Sequence, residues 1–291
     1  MGDDLVRPST RPTAAASTFP PRHGPLRPTS PWLPACILFV ILQTVGCGVR
    51  FAPPQVNPDE LESARLAVAR GVPPPGETQS EEQATVVLAA VSQRLDAAAQ
   101  PLCTAYLQQP CGFHISLDRS TTPRAALTGQ GEVTITLGMM SLLGSEDEVA
   151  AVVGHEFGHH VAGHTGKRRA RSLAAGTVAG TLLGAVVPFG GIAAWALGQG
   201  TAQIGSRAAQ LAFSKDEERE ADYLSVYLIA RAGYDLDRAG LVWVRLTRGG
   251  SSERAGWLDS HPAGPERLAA WRNTIDEVRA STGLMPRRLG Q

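Results

Sequence analysis

Val152-Val153-Gly154-His155-Glu156-Phe157-Gly158-His159-His160 carries the pattern His-Glu-x-x-His, and how this stretch folds governs the reading of the chain around it. On a helix, residues four apart lie about 6 Å along the axis on one face. His155 and His159 can therefore offer two imidazole nitrogens to one Zn2+, with Glu156 leaning over the open coordination position as a general base. The flanking residues supply the helix. Ser145 is a suitable N-cap, Glu148 three residues on completes a capping-box pattern, and Val149, Val152 and Val153 give apolar spacing.

A catalytic zinc site needs a third protein ligand and one open position. Ser214 to Tyr223 reads S-K-D-E-E-R-E-A-D-Y and leads into a helical pattern with Leu224, Tyr227, Leu228 and Ile229. Glu218 and Asp222 share a face there, whereas Glu220 points about 200° away from Glu218. Glu218 is the candidate ligand, and Asp222 can accept the free N–H of a metal-bound imidazole and fix its tautomer. The competing reading is a solvated acidic helix start favoured by the helix dipole. Extrapolated along one helix, His160 and His164 lie about 140° and 180° around from His155, which excludes them from the same metal and predicts second-face packing or surface positions. The metzincin extension of the pattern is excluded too, because Ala162 and Thr165 stand where it needs Gly and His.

Composition bounds the rest. The 291 residues are 43% hydrophobic, enough for one substantial core, so one catalytic domain with appendages is expected. Twenty-seven basic and 27 acidic side chains leave no net charge, and nothing suggests a nucleic-acid partner. The first thirty residues are rich in Pro, Thr, Ser and Arg and lack apolar periodicity. Ala35 to Leu42 is too short for a membrane span, has the length of a signal-peptide core, and follows Arg7, Arg11, Arg22 and Arg27. Gly46-Cys47 resembles a bacterial lipoprotein cleavage box, with Thr44 where Leu, Val or Ile is usual. The reading is a leader over residues 1–47, a lipid anchor at Cys47, and a periplasmic, membrane-tethered protein of the bacterial envelope; a non-lipidated signal or short anchor and a buried cytosolic segment are the alternatives. In an exported chain Cys103 and Cys111 can close a disulfide loop, or remain two thiols.

Residues 48–78 read as a tether and a short helix, capped by Asn57 with Pro58 at its first position and ending at Arg70. A second helix starts at Ser80 with Gln83 as its box partner, and Phe113–Leu117 and Glu132–Thr136 read as strands. Residues 173–204 form an uncharged Gly- and Ala-rich stretch, with Gly176, Gly180 and Gly184 at four-residue spacing. It reads as a helical hairpin that either caps the cleft or touches a membrane.

The pentad, the S-K-x-x-E-x-E-A-D segment, A-G-Y-D at Ala232–Asp235 and S-H-P-x-x-x-E-R at Ser260–Arg267 occur in an order that resembles the HtpX/BepA-like peptidases, gluzincin relatives of the CAAX prenyl protease. The resemblance runs from about Glu82 to Ala280. It implies an α+β, mainly α-helical peptidase domain over residues 79–285 with a small β-sheet, one Zn2+ held by His155, His159 and Glu218, Glu156 as base, and Asp222 behind the ligands. It also places His261 near the metal, to contact zinc or steady an oxyanion, with Arg267 acting beside it; the bland alternative for His261 is a residue leading into a helix ahead of Pro262. The implied activity is zinc-dependent endopeptidase action on exported, membrane-associated or misfolded proteins. The strand near Val133–Thr136 is expected to be the edge that pairs with an extended substrate. Arg124-Ala125-Ala126 stands where relatives show Asn-Ala-Phe, which leaves substrate preference open. A competing class is a mostly latent zinc-bearing chaperone or assembly factor for outer-membrane proteins, held inactive by His261 or the 173–204 hairpin.

Overall fold

Asn57 accepts the Glu60 backbone N–H while Glu60 reaches back to the Asn57 N–H, and this reciprocal cap starts α1 (Pro58–Arg70) where the sequence predicts it. The same device, made by Ser80 and Gln83, starts α2 (Glu81–Tyr106). In this computed structural model the described residues are 50–75, 79–107, 112, 114–128, 131–173, 213–249, 261 and 263–290. The leader over 1–47, including Cys47, and the hairpin beyond Leu173 lie outside them. Cys103 is disulfide-bonded, its partner lying outside the described residues.

After α2 come three strands, β1 (His114–Asp118), β2 (Ala125–Leu127) and β3 (Glu132–Thr136), in the order β1-β3-β2. β1 runs parallel to β3, with His114 opposite Glu132, and β2 runs antiparallel, with Ala125 opposite Ile135. The expectation for Val133–Thr136 is thereby corrected. Among the described residues β3 is the central strand with both edges paired, so a substrate strand cannot add to it; β1 and β2 are the outer strands, and β2 is the one that reaches Glu156.

Short α3 (Leu137–Met140) leads to α4 (Glu146–Val161), which bears the pentad. Ser145 caps α4 by accepting the Glu148 N–H, but the reciprocal half of the box is absent. Glu148 instead turns inward, accepts the Gly144 N–H and pairs with Arg245 at 2.8 Å. Gly163, with φ of 70°, then breaks the helix, and a separate helical stretch begins at His164. The remaining elements are α5 (Lys215–Arg231), α6 (Leu236–Ala239), α7 (Leu241–Gly249) and α8 (Pro265–Ala280). The architecture is mainly helical with a small sheet, as expected. Among the described residues no helix is long and apolar enough to cross a membrane.

Candidate metal centre

Two helices set the distance between the pentad and the acidic segment. α4 and α5 pack against each other so closely that a Cβ at Gly158 would collide with the backbone of Ala221. Ser225 Oγ, one turn along α5, donates to the Ala151 carbonyl at 3.1 Å. The sequence permits this contact because the pentad helix is small-faced where it meets α5.

His155, His159, Glu218 and His261 are all buried, and one ligand atom from each lies within 4.8 Å of the others. His155 Nε2 is 3.0 Å from His159 Nε2 and 3.1 Å from His261 Nδ1. Glu218 Oε1 is 3.0 Å from His261 Nδ1 and 3.4 Å from His159 Nε2. Ligands at ~2.0–2.2 Å around a tetrahedral zinc stand ~3.3 Å apart, so the separations suit such an ion. Glu218 Oε1 faces the imidazoles, while its Oε2 pairs with the Arg267 guanidinium at 2.8 Å. The donor set of imidazole and carboxylate is the kind zinc takes.

The surroundings orient these donors. Asp222 Oδ1 lies 2.7 Å from His155 Nδ1, the arrangement the sequence predicts. Arg267 is buried between the carboxylates, donating to both Asp222 oxygens at 2.7 and 2.8 Å and standing 2.8 Å from Glu218 Oε2. Its guanidinium lies over the Trp243 ring, 3.9 Å from the centroid. Burial drives both pentad imidazoles well below their ordinary pKa, which leaves their nitrogens free to ligate. Burial works against ionisation of Glu218, yet Arg267 and the neighbouring imidazoles hold its carboxyl well below the usual range. Burial pushes Asp222 up to about 6 even against its Arg267 pairing.

Glu156 faces the cluster from the other side. Its Oε2 accepts the Leu127 N–H from β2 at 3.1 Å, and its Oε1 stands 3.4 Å from His261 Nε2. Phe213 stacks on the His159 ring at 3.8 Å and carries the Arg168 guanidinium on its face.

His160 is half-buried and takes no part in the cluster, but His164 differs from expectation. It is fully buried, with Nδ1 2.8 Å from His159 Nδ1 and Nε2 2.8 Å from Glu220 Oε2. A helical wheel cannot find this contact, because the helix breaks at Gly163 and re-aims the next residue. The S-K-x-x-E-x-E-A-D segment did carry a signal, since Glu220 stands within it.

Comparison with known proteins agrees with this geometry. A profile described as Peptidase family M48 matches residues 89–275, well over half of the chain. The chain belongs to peptidase family M48. M48 metallopeptidases are zinc-dependent, and the cluster fits a metal of that kind. The M48 chain is also similar to the mitochondrial metalloendopeptidase OMA1 of Arabidopsis thaliana, 31% identical over 150 residues. That match covers 51% of this chain and 29% of the relative, so the chain spans under a third of that protein's length.

Proposed function

We propose that the protein is a zinc-dependent endopeptidase that hydrolyses exported or membrane-associated proteins, misfolded ones among them. The convergence of His155, His159 and Glu218 donor atoms beside the Glu156 carboxylate carries this reading. These three residues would hold the ion, and zinc when bound supplies a Lewis acid and a more acidic water. Glu156 takes a proton from the attacking water at its carboxylate and delivers it to the leaving amine. An extended substrate lies along the outer edge of β2, where Leu127 now donates to Glu156. His261 Nε2, 3.4 Å from Glu156, is placed to steady developing charge when its Nδ1 is not engaged with the ligands. Arg267 acts through Glu218 and Asp222, both of which it bonds, and so positions ligands rather than touching substrate.

A bacterial periplasmic location with lipid attachment at Cys47 belongs to the same proposal. The disulfide at Cys103 supports it, since such bonds persist in oxidising compartments. Mass spectrometry of the mature N-terminus reads the anchor directly. For the chemistry, zinc content is measured in wild type and Glu218→Ala, and casein cleavage in wild type and Glu156→Gln. The expected result is zinc in wild type only and a fall of about 10²–10⁴ in cleavage for Glu156→Gln; equal cleavage sinks the mechanism.

One observation favours a second reading, a latent zinc-bearing chaperone or assembly factor. His261 Nδ1 stands close enough to the other three donors to serve as a fourth ligand, in the position that a catalytic zinc site would leave open. His261→Ala that raises cleavage identifies a restrained peptidase, and absence of cleavage in every variant favours the assembly role.

A further inference from the structure

His159 needs an acceptor. If it ligates through Nε2, the atom that faces the cluster, its Nδ1 carries the proton, and the atom 2.8 Å away is Nδ1 of the fully buried His164. His164 then carries its own proton on Nε2, which donates to Glu220 Oε2 at 2.8 Å. Glu220 is fully buried as well. Its second oxygen, Oε1, accepts the Phe51 backbone N–H at 2.8 Å and also the Arg50 N–H. Every proton in this series has one donor and one acceptor, and the series ends on backbone 169 residues away in sequence.

That backbone is itself anchored. Phe51 forms an antiparallel bridge with Arg288, flanked by bonds from Ala52 N–H to Arg287 O at 3.0 Å and from Leu289 N–H to Arg50 O at 2.9 Å. The Phe51 ring is buried edge-on against Tyr106 at 4.9 Å. The Arg50 guanidinium lies against Gly163, the turn residue that aims His164. His155, by contrast, is oriented by Asp222, a neighbour of Glu218 on α5. The two pentad imidazoles thus answer to different parts of the chain.

We infer that Glu220 and His164 are positioning residues that make the ring orientation of His159 depend on the seating of the Arg50–Phe51 segment. The inference rests on the zinc reading above. It gives Glu220 a reason to be a buried carboxylate on a helix where the other buried acids, Glu217, Glu218 and Asp222, each have an arginine partner. It also couples the metal centre to a segment three residues beyond Cys47.

The test uses the full chain, with zinc affinity measured by chelator competition, the absorption spectrum of the cobalt-substituted protein, and the melting temperature of the metal-free form. His164→Phe removes the acceptor and Glu220→Gln removes the anion; each is expected to weaken zinc binding by about 10–100-fold and to alter the cobalt spectrum. His164→Asn returns an acceptor oxygen near the Nδ1 position without the reach to Glu220, and is expected to recover part of the affinity that His164→Phe loses. Arg50→Pro removes one donor to Glu220 through an exposed residue and is expected to weaken binding by a smaller factor. The inference is overturned if His164→Phe and Glu220→Gln bind zinc like wild type with an unchanged cobalt spectrum. It is also overturned if affinity merely follows the metal-free melting temperature and His164→Asn restores nothing. A wild type that binds no zinc overturns the zinc reading, and this inference with it.

Discussion

Glu218 and Asp222 lie one turn apart, buried in the same pocket, and two such carboxylates repel unless a cation stands between them. Arg267 meets that need with a planar fork that reaches both, backed by the Trp243 face. Removing it leaves uncompensated buried charge. Arg267→Leu is therefore expected to lose about 3–5 kcal/mol of stability in urea unfolding. Arg267→Lys keeps the charge without the fork and should recover only part of that loss. The pairing of Arg267 with these acids was not legible as such in the sequence. S-H-P-x-x-x-E-R placed it near His261, but its partners lie 45 residues or more away, and only the packing of α8 on α5 brings them together.

At the scale of elements, the spacing between the pentad and Glu218 is set by the approach of α4 to α5. Gly158 sits where that approach is closest, facing backbone that has no rotamer to change. In an ordinary helix Gly→Ala gains about 1 kcal/mol. Gly158→Ala is expected to do the reverse, lowering both melting temperature and zinc occupancy, because the added methyl drives the pentad away from Glu218. Elements with local causes were readable: the caps at Asn57, Ser80 and Ser145 need only residues three positions apart. The elements that escaped have non-local causes. β2 is three residues, Ala-Ala-Leu, too short to show alternation, and exists because β3 offers it an edge. His164 escaped because the helix ahead of it does not continue.

Across the whole molecule, the C-terminal segment is fastened to the helical body through Glu277. Its carboxylate accepts from the Tyr223 and Tyr227 hydroxyls at 2.7 and 2.8 Å and from Arg287 Nη2 at 2.8 Å. Burial raises the pKa of this carboxyl, but the Arg287 and tyrosine bonds outweigh it and the net shift is downward. A carboxylate with a depressed folded pKa adds stability above its unfolded value of about 4.3, and that stability is lost as pH falls through the folded value. Glu277→Gln is expected to unfold at lower urea than wild type at pH 7 and to show a shallower decline below pH ~4; parallel curves would refute the assignment. The distribution of the fold's polar anchors explains what sequence could foretell. The pentad and the acidic segment each announce a chemistry, while the joints that hold them at bonding distance are spread over the chain from Arg50 to Arg288.

Arg267 has a consequence for a chain that emerges from the ribosome N-terminus first. His155 and His159 are synthesised more than 100 residues before the arginine that lets Glu218 and Asp222 be buried together, an interval of roughly 5–20 s. Until then the two carboxylates lack the cation that keeps them in one pocket, and the third donor has no fixed place. A nascent or truncated polypeptide therefore carries the pentad without an assembled hydrolytic centre. A chain truncated ahead of Arg267 is accordingly expected to bind zinc more weakly than the full chain.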